Sequence, residues 1–206
     1  MPQSRRYKKK KSAGKAILAW IIVLAILAAA VFVFVSVFYE DAKKKLDEMN
    51  YPRTYSTYVE KAAKDYDLDP ALIYAVIHTE SGFDPKAESG VGAKGVMQMM
   101  PSSFEWLQEQ RGCAGRYTED DLFDPEICID YGSYLLKYFY DYYGTERSAI
   151  AAYNAGFVVS DWLNDTNYSS DGKNLDSIPY PETENYVDKV EGAKEMYIKL
   201  YYSQSN

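Results

Sequence analysis

Hydrophobic positions fall into two regimes along the chain. Residues 16–38, AILAWIIVLAILAAAVFVFVSVF, run for 23 positions without a charge. Beyond residue 53, apolar positions recur at three- and four-residue spacing between clusters of Gly, Pro, Asn and Asp. The first regime predicts a helix that is apolar on every side. At about 1.5 Å per residue it spans a hydrocarbon core of ~30 Å. Trp20 and Tyr39 stand near its two ends, where membrane interfaces favour such rings. Ala28, Ala29 and Ala30 offer a small-residue cleavage site, yet the apolar run continues well past them. A cleaved signal has an apolar region of only about 7–15 residues, so a retained transmembrane helix over 16–38 is expected. Residues 39–53 follow as a charged stalk, which reaches ~20 Å if helical.

The second regime predicts helices joined by loops. Amphipathic segments are expected over 54–66, 70–81, 101–110, 125–143, 146–155 and 182–202, with a short helix through Trp162. Asp69-Pro70 and Asp124-Pro125 each supply an N-cap and a first-turn proline. Gly82, Gly144 and Gly156 mark helix ends. The inward stripe of the 125–143 helix is expected to hold Cys128, Tyr131, Leu135, Tyr138 or Phe139, and Tyr142. Residues 82–96 read as a glycine-rich loop, 111–123 as irregular, and 166–181 as a loop. No period-2 pattern of any length occurs, so the class is all-α, with one domain over 54–206.

One polar residue breaks this pattern. Glu80 stands three, four and seven residues after Ile77, Val76 and Ile73, on the same stripe of a short apolar helix. A carboxylate there is costly unless something uses it. Gly82 and Pro85 end the helix at once, which places the carboxyl at the rim of a core beside a loop. A general acid with a raised pKa belongs in such a place. The same pattern also suits a Glu that turns to solvent or pairs with a cation. His78, the only histidine, lies about 160° around the helix from Glu80 and reads as a packing residue.

Charge sets the surroundings. Of 23 Lys and Arg, seven precede residue 16, while all 30 Asp and Glu follow residue 39. The part beyond the apolar run therefore carries a formal −14. That balance excludes nucleic acid as a partner, since phosphate binding needs a basic surface. The basic residues 1–15 place the N-terminus in the cytoplasm and the rest outside, by the positive-inside rule. Two cysteines and one histidine assemble no metal-binding set, and no metal or cofactor is expected. Outside the cytoplasm, Cys113 and Cys128 suit a local disulfide; the alternative is two small buried hydrophobes.

Four blocks, taken in order, resemble the soluble lytic transglycosylase family, within the goose-type lysozyme-like fold. They are AVIHTESGFDPKAES, SGVGAKGVMQMMPSS, AIAAYNAG and IPYPETENYVDKV, spread over about residues 55–203. Val96 stands where that family usually has Leu. The resemblance implies a membrane-anchored enzyme that cleaves the β-1,4 bond between N-acetylmuramic acid and N-acetylglucosamine in peptidoglycan. It implies attack by the muramyl C6 hydroxyl rather than water, leaving a 1,6-anhydro end. Glu80 is then the single catalytic acid and base. Ser89, Met97, Gln98, Tyr153, Asn154, Glu182 and Tyr186 are implied as substrate-cleft residues, with Tyr186 orienting the Glu80 carboxyl. A lysozyme-like hydrolase that uses Asp84 or Glu88 to activate water, or a non-catalytic glycan-binding scaffold, are the competing readings.

Overall fold

The computed structural model describes residues 4–203, with side chains from Gly14 onward. Much of the basic tail expected over 1–15 lies outside the residues so described. The chain divides after Asn50 into two units.

The first unit is one helix, α1 (Ser4–Asn50). It continues through most of the expected stalk, with Lys45–Asp41 and Lys44–Glu48 pairs one turn apart. Its stretch Gly14–Asn50 contains an 18-residue window of mean hydropathy 3.2, long and apolar enough to cross a membrane. Large apolar side chains from Ile17 to Phe38 are exposed all round it. A helix of that kind is stable only when something apolar covers it.

The second unit, Tyr51–Asn206, is helical. Its helices are α2 (Ser56–Tyr66), α3 (Pro70–Ser81), α4 (Pro101–Gln110), α5 (Pro125–Tyr143), α6 (Glu146–Ala155), α7 (Val159–Asn164) and α8 (Pro181–Tyr197). Among the described residues the only β-type pairing is two isolated bridges, Glu88 with Lys94 and Lys94 with Met99. Both aspartate–proline starts form as expected. Asp69 accepts the Ala71 N–H at 2.9 Å, and Asp124 accepts the Glu126 N–H at 2.8 Å.

α3 is the centre of the domain. It packs on α8 and α2, while α5 packs on α2 and α6, and α6 on α8. Every residue from Ala71 to Ile77 is buried, so α3 has no solvent face over its first two turns. The stripe Ile73, Val76, Ile77 is thus only part of its burial. Glu80 lies where this central helix first reaches the edge of the core.

Several expectations change in detail. The irregular 111–123 stretch contains a 3-10 turn, Glu119–Phe123. The last helix passes into a π-helical turn, Ile198–Tyr202. Tyr142 is 59% exposed, because Phe139 takes the inward place at that level of α5. Cys113 and Cys128 are free thiols rather than a disulfide. Cys113 lies 3.3 Å from the Tyr131 hydroxyl, whereas Cys128 faces the 94–99 loop and accepts the Met97 N–H. Burial pushes the Cys128 thiol up to about 12, so it stays protonated and inert. Many of the 21 tyrosines serve as ties. Tyr197, Tyr201 and Tyr202 donate to Pro52 O, Tyr51 O and Glu60, fastening the end of the domain to its beginning.

Two glycines matter to the site. Gly95 has φ +75°, and a Cβ there would lie 2.0 Å from Leu122 O. Gly132, inside α5, costs about 1 kcal/mol relative to Ala by helix propensity. It is needed because the Met97 side chain fills the space its Cβ would occupy, with Sδ at 2.6 Å. Gly95→Ala is expected to destabilise the domain by about 2 kcal/mol or more, since it adds both backbone strain and overlap. Thermal unfolding should show a fall of at least several degrees; an unchanged melting temperature would mean that the loop does not pack against Leu122 as described.

Candidate active site

The last turn of α3 brings Glu80 to the junction of three elements. α8 contributes Tyr186, whose hydroxyl donates to Glu80 Oε1 at 2.7 Å. α6 contributes Tyr153, which is close enough for the Glu80 charge to act on its phenol. Its hydroxyl donates to Met97 O at 2.9 Å. The loop after α3 contributes that carbonyl. Ser81, next to Glu80, fixes the loop to the helix: its Oγ donates to Val96 O at 2.8 Å and accepts the Phe83 N–H at 3.1 Å. The Glu-Ser pair therefore joins a carboxyl aimed at the site to a hydroxyl that holds the loop beside it.

Electrostatics at Glu80 follow from burial. Removal from water pushes its pKa up to about 7, and the hydrogen bond from Tyr186 opposes that rise. No other charged group among the described residues contributes to this shift. Asp84 and Glu88 are exposed, and Asp84 is occupied by the Lys86 N–H at 2.8 Å. Burial, reinforced by the neighbouring carboxylate, drives the Tyr153 and Tyr186 phenols well up. Both therefore remain hydrogen-bond donors wherever Glu80 titrates. His78 packs among Tyr51, Phe83 and Tyr197, and burial lowers its pKa. It is placed as a packing residue, away from the carboxyl.

The other predicted residues divide by what their side chains touch. Ser89 Oγ accepts the Ala93 N–H at 2.9 Å and closes the turn at the loop tip. Gln98 adopts φ +46° and donates from Nε2 to Ala87 O and Gly95 O, each at 3.0 Å. Its amide nitrogen is thus committed to bracing the loop. Met97 is fully buried against Gly132, so it reaches the site through its carbonyl and not its side chain. Asn154 is exposed at the end of α6 and accepts the Thr183 hydroxyl at 2.7 Å, which links α6 to the first turn of α8. Glu182 is exposed on that same turn. Glu80, Tyr153, Tyr186 and the Met97 carbonyl form the tight cluster.

Sequence reasoning passed over Met100. Of Met97, Met99 and Met100, only Met100 presents its side chain to solvent, at 39% exposure. It is the N-cap of α4 and precedes Pro101, and that junction was the available signal. It also passed over Lys94, which is only 7% exposed. Its ammonium pairs with Glu119 at 3.2 Å and Asp120 at 3.1 Å, clamping the loop to the 3-10 turn.

The domain thus places one partly buried carboxyl, bonded by Tyr186 and close to Tyr153, beside the loop that follows α3. Residues 57–175, more than half of the chain, match the model of the transglycosylase SLT domain, and the chain belongs to that family. It is 32% identical over 146 residues to the soluble lytic murein transglycosylase of Escherichia coli (strain K12), covering 69% of this chain and 23% of that one. It is 30% identical over 170 residues to membrane-bound lytic murein transglycosylase C of Actinobacillus succinogenes, covering 72% and 48%. Among solved structures, an inactive glutamate-to-glutamine mutant of lytic transglycosylase Slt from Pseudomonas aeruginosa superposes with a TM-score of 0.65 and 30% identity, covering 74% of this chain and 25% of that one. The chain thus spans about a quarter of the soluble relatives and about half of the membrane-bound one.

A raised carboxyl pKa has a consequence for stability. The folded state holds the Glu80 proton up to about pH 7, whereas an unfolded Glu releases it near 4.3. Between those values the folded state binds more protons, so this group's contribution falls as pH rises. Glu80→Gln removes that penalty. Its melting temperature relative to wild type is expected to be higher at pH 8 than at pH 4; a difference independent of pH would count against the buried, protonated carboxyl.

Proposed function

We propose that this chain is a membrane-anchored peptidoglycan lytic transglycosylase. It cleaves the bond between N-acetylmuramic acid and N-acetylglucosamine without water and leaves 1,6-anhydro ends. The observation that carries the proposal is the lone Glu80 carboxyl, with its pKa near 7 and a tyrosine hydroxyl as its hydrogen-bond partner.

The chemistry needs one group able to give a proton and then take one. Protonated Glu80 donates to the glycosidic oxygen as the bond from that oxygen to the muramyl anomeric carbon breaks. The 2-acetamido group of the substrate supports the positive anomeric centre. The C6 hydroxyl then bonds to that carbon and passes its proton to the Glu80 carboxylate, which restores the starting acid. Ordinary retaining and inverting enzymes need a second carboxylate, as nucleophile or as base for water. Here neither Asp84 nor Glu88 acts on Glu80, which favours substrate participation over a water-activating pair. A pKa near 7 lets one residue serve both steps near neutral pH. Tyr186 positions the carboxyl and steadies its ionised form. Ser89, Met97, Gln98, Tyr153, Asn154 and Glu182 are assigned to the cleft around it, with Met97 and Gln98 shaping the loop wall.

In this reading residues 16–38, within the helical stretch Gly14–Asn50, supply the membrane span. The basic residues before it stay on the cytoplasmic side, and the domain works on glycan outside. The name of the membrane-bound relative supports the anchored form.

Mass spectrometry of digested sacculi tests the reaction. Wild type is expected to release muropeptides with 1,6-anhydro ends, and Glu80→Gln to lose at least about 10²-fold in rate while remaining folded. Reducing ends in place of anhydro ends would replace this reading with a hydrolase, and undiminished cleavage by Glu80→Gln would remove Glu80 from its role.

A further inference from the structure

A second concave site lies on a different face of α5. Cys128 and Gly132 turn one face of that helix toward Met97 and the catalytic loop. About a third of a turn away, Ile127, Asp130 and Tyr131 turn another face toward α2. Between them is a cavity of about 410 Å³ that shares no lining residue with the Glu80 cluster. Its volume falls within the range of small-ligand sites, about 300–1,000 Å³.

The walls of this cavity combine aromatic faces with mixed donors and acceptors. Tyr58, Tyr66, Tyr117 and Tyr131 supply the rings. Arg111 lies 4.4 Å over the Tyr131 ring and donates to Asp130 at 2.6 Å, and Asp130 also accepts the Tyr66 hydroxyl. Across the cavity Lys61 donates to Asp65 at 2.7 Å. The charges within these two pairs offset each other, and Asp124 and Glu126 leave the lining polar with a formal charge of −2. The Tyr58 and Tyr117 hydroxyls have no hydrogen-bond partner among the described residues, and the exposed Glu126 carboxylate makes no hydrogen bond or close ion pair there, acting on Lys61 only through space. Asp124 is already committed to capping α5.

We propose that this cavity is a non-catalytic saccharide-binding site that holds a second stretch of the glycan strand. The choice of glycan rests on the reading of the catalytic site as murein-cleaving. A sugar ring presents apolar faces that lie on tyrosine rings, and hydroxyls that both donate and accept. Phenol hydroxyls without protein partners, beside the carboxylates of Glu126 and Asp124, suit the hydroxyls of a sugar, and the two intact ion pairs leave neither lining cation free to hold an anion. An amine would find Glu126 and one oxygen of Asp124, and the titration separates it from a saccharide. Binding here keeps an insoluble strand beside the domain while the Glu80 cleft acts on another part of it.

Calorimetric titration of chitotetraose, the β-1,4 tetramer of N-acetylglucosamine, into the full-length Glu80→Gln chain in detergent tests the site. Two saccharides per chain are expected. Adding Tyr58→Ala, or separately Glu126→Gln, should weaken one event by about tenfold and leave the other unchanged. In the wild-type background, Tyr58→Ala should slow digestion of intact sacculi and leave turnover of short soluble fragments as it was. Glu126 is exposed at the start of α5, so its variant carries the test if Tyr58→Ala does not fold. A single binding event insensitive to both substitutions overturns the proposal, as does a Tyr58-dependent event for putrescine but not for chitotetraose. Failure of the catalytic reading shows separately, as a wild-type chain that releases no muropeptides while the Tyr58-dependent saccharide event persists.

Discussion

The packing of α3 against α8 is the contact from which the rest of the site follows. Together with α2 it helps bury α3 from Ala71 to Ile77, and it brings the Tyr186 hydroxyl to 2.7 Å from the carboxyl at the helix end. Burial raises the proton affinity of Glu80, and the tyrosine restrains that rise, so the group titrates near neutrality instead of becoming permanently neutral. The loop is held to the same helix by Ser81 and to α5 by the fit of Met97 into the space left by Gly132. Movement of α3 relative to α8 would disturb the carboxyl, its tyrosine and the loop wall together.

This arrangement explains why most of the polar motif residues bond to protein. Ser81, Ser89 and Gln98 spend hydrogen bonds on backbone groups of the 81–99 segment, and Lys94 adds two ion pairs. An irregular segment without strands has many peptide groups to satisfy, and leaving them unpaired beside a desolvated carboxyl would be costly. The rigid loop that results places the Met97 carbonyl for Tyr153. In the proposed reaction, preorganisation of this kind would hold the single carboxyl and the loop wall in one geometry.

Much of this was legible in the sequence because it rests on local chemistry. Asp69-Pro70 and Asp124-Pro125 cap their helices through bonds two residues away, and Gly82 and Gly144 end them in left-handed conformations. Glu80 stood out because a charge at the end of an apolar helix is locally anomalous. What was not legible depends on partners distant in sequence. Nothing near Met97 shows that it fills the space beside Gly132 while Met100 faces water. The spacing of Cys113 and Cys128 suited a disulfide, but α5 turns Cys128 toward the loop and leaves Cys113 beside Tyr131. Period alone left Tyr138 and Phe139 open and put Tyr142 inward; Phe139 is buried and Tyr142 exposed, because the aromatic stripe is wider than the buried face. Lysines are mostly exposed, and at Lys94 the carboxylates of Glu119 and Asp120, brought over by the 3-10 turn, make its burial tolerable.

Inside the folded domain the Glu80 carboxyl keeps its proton to about neutral pH. Selective carbon-13 labelling of glutamate, with Glu80→Gln to assign the signal, allows its carboxyl shift to be followed from pH 3 to pH 9. A midpoint near 7 is expected for this one group. A midpoint near the ordinary glutamate value of about 4.3 would contradict it.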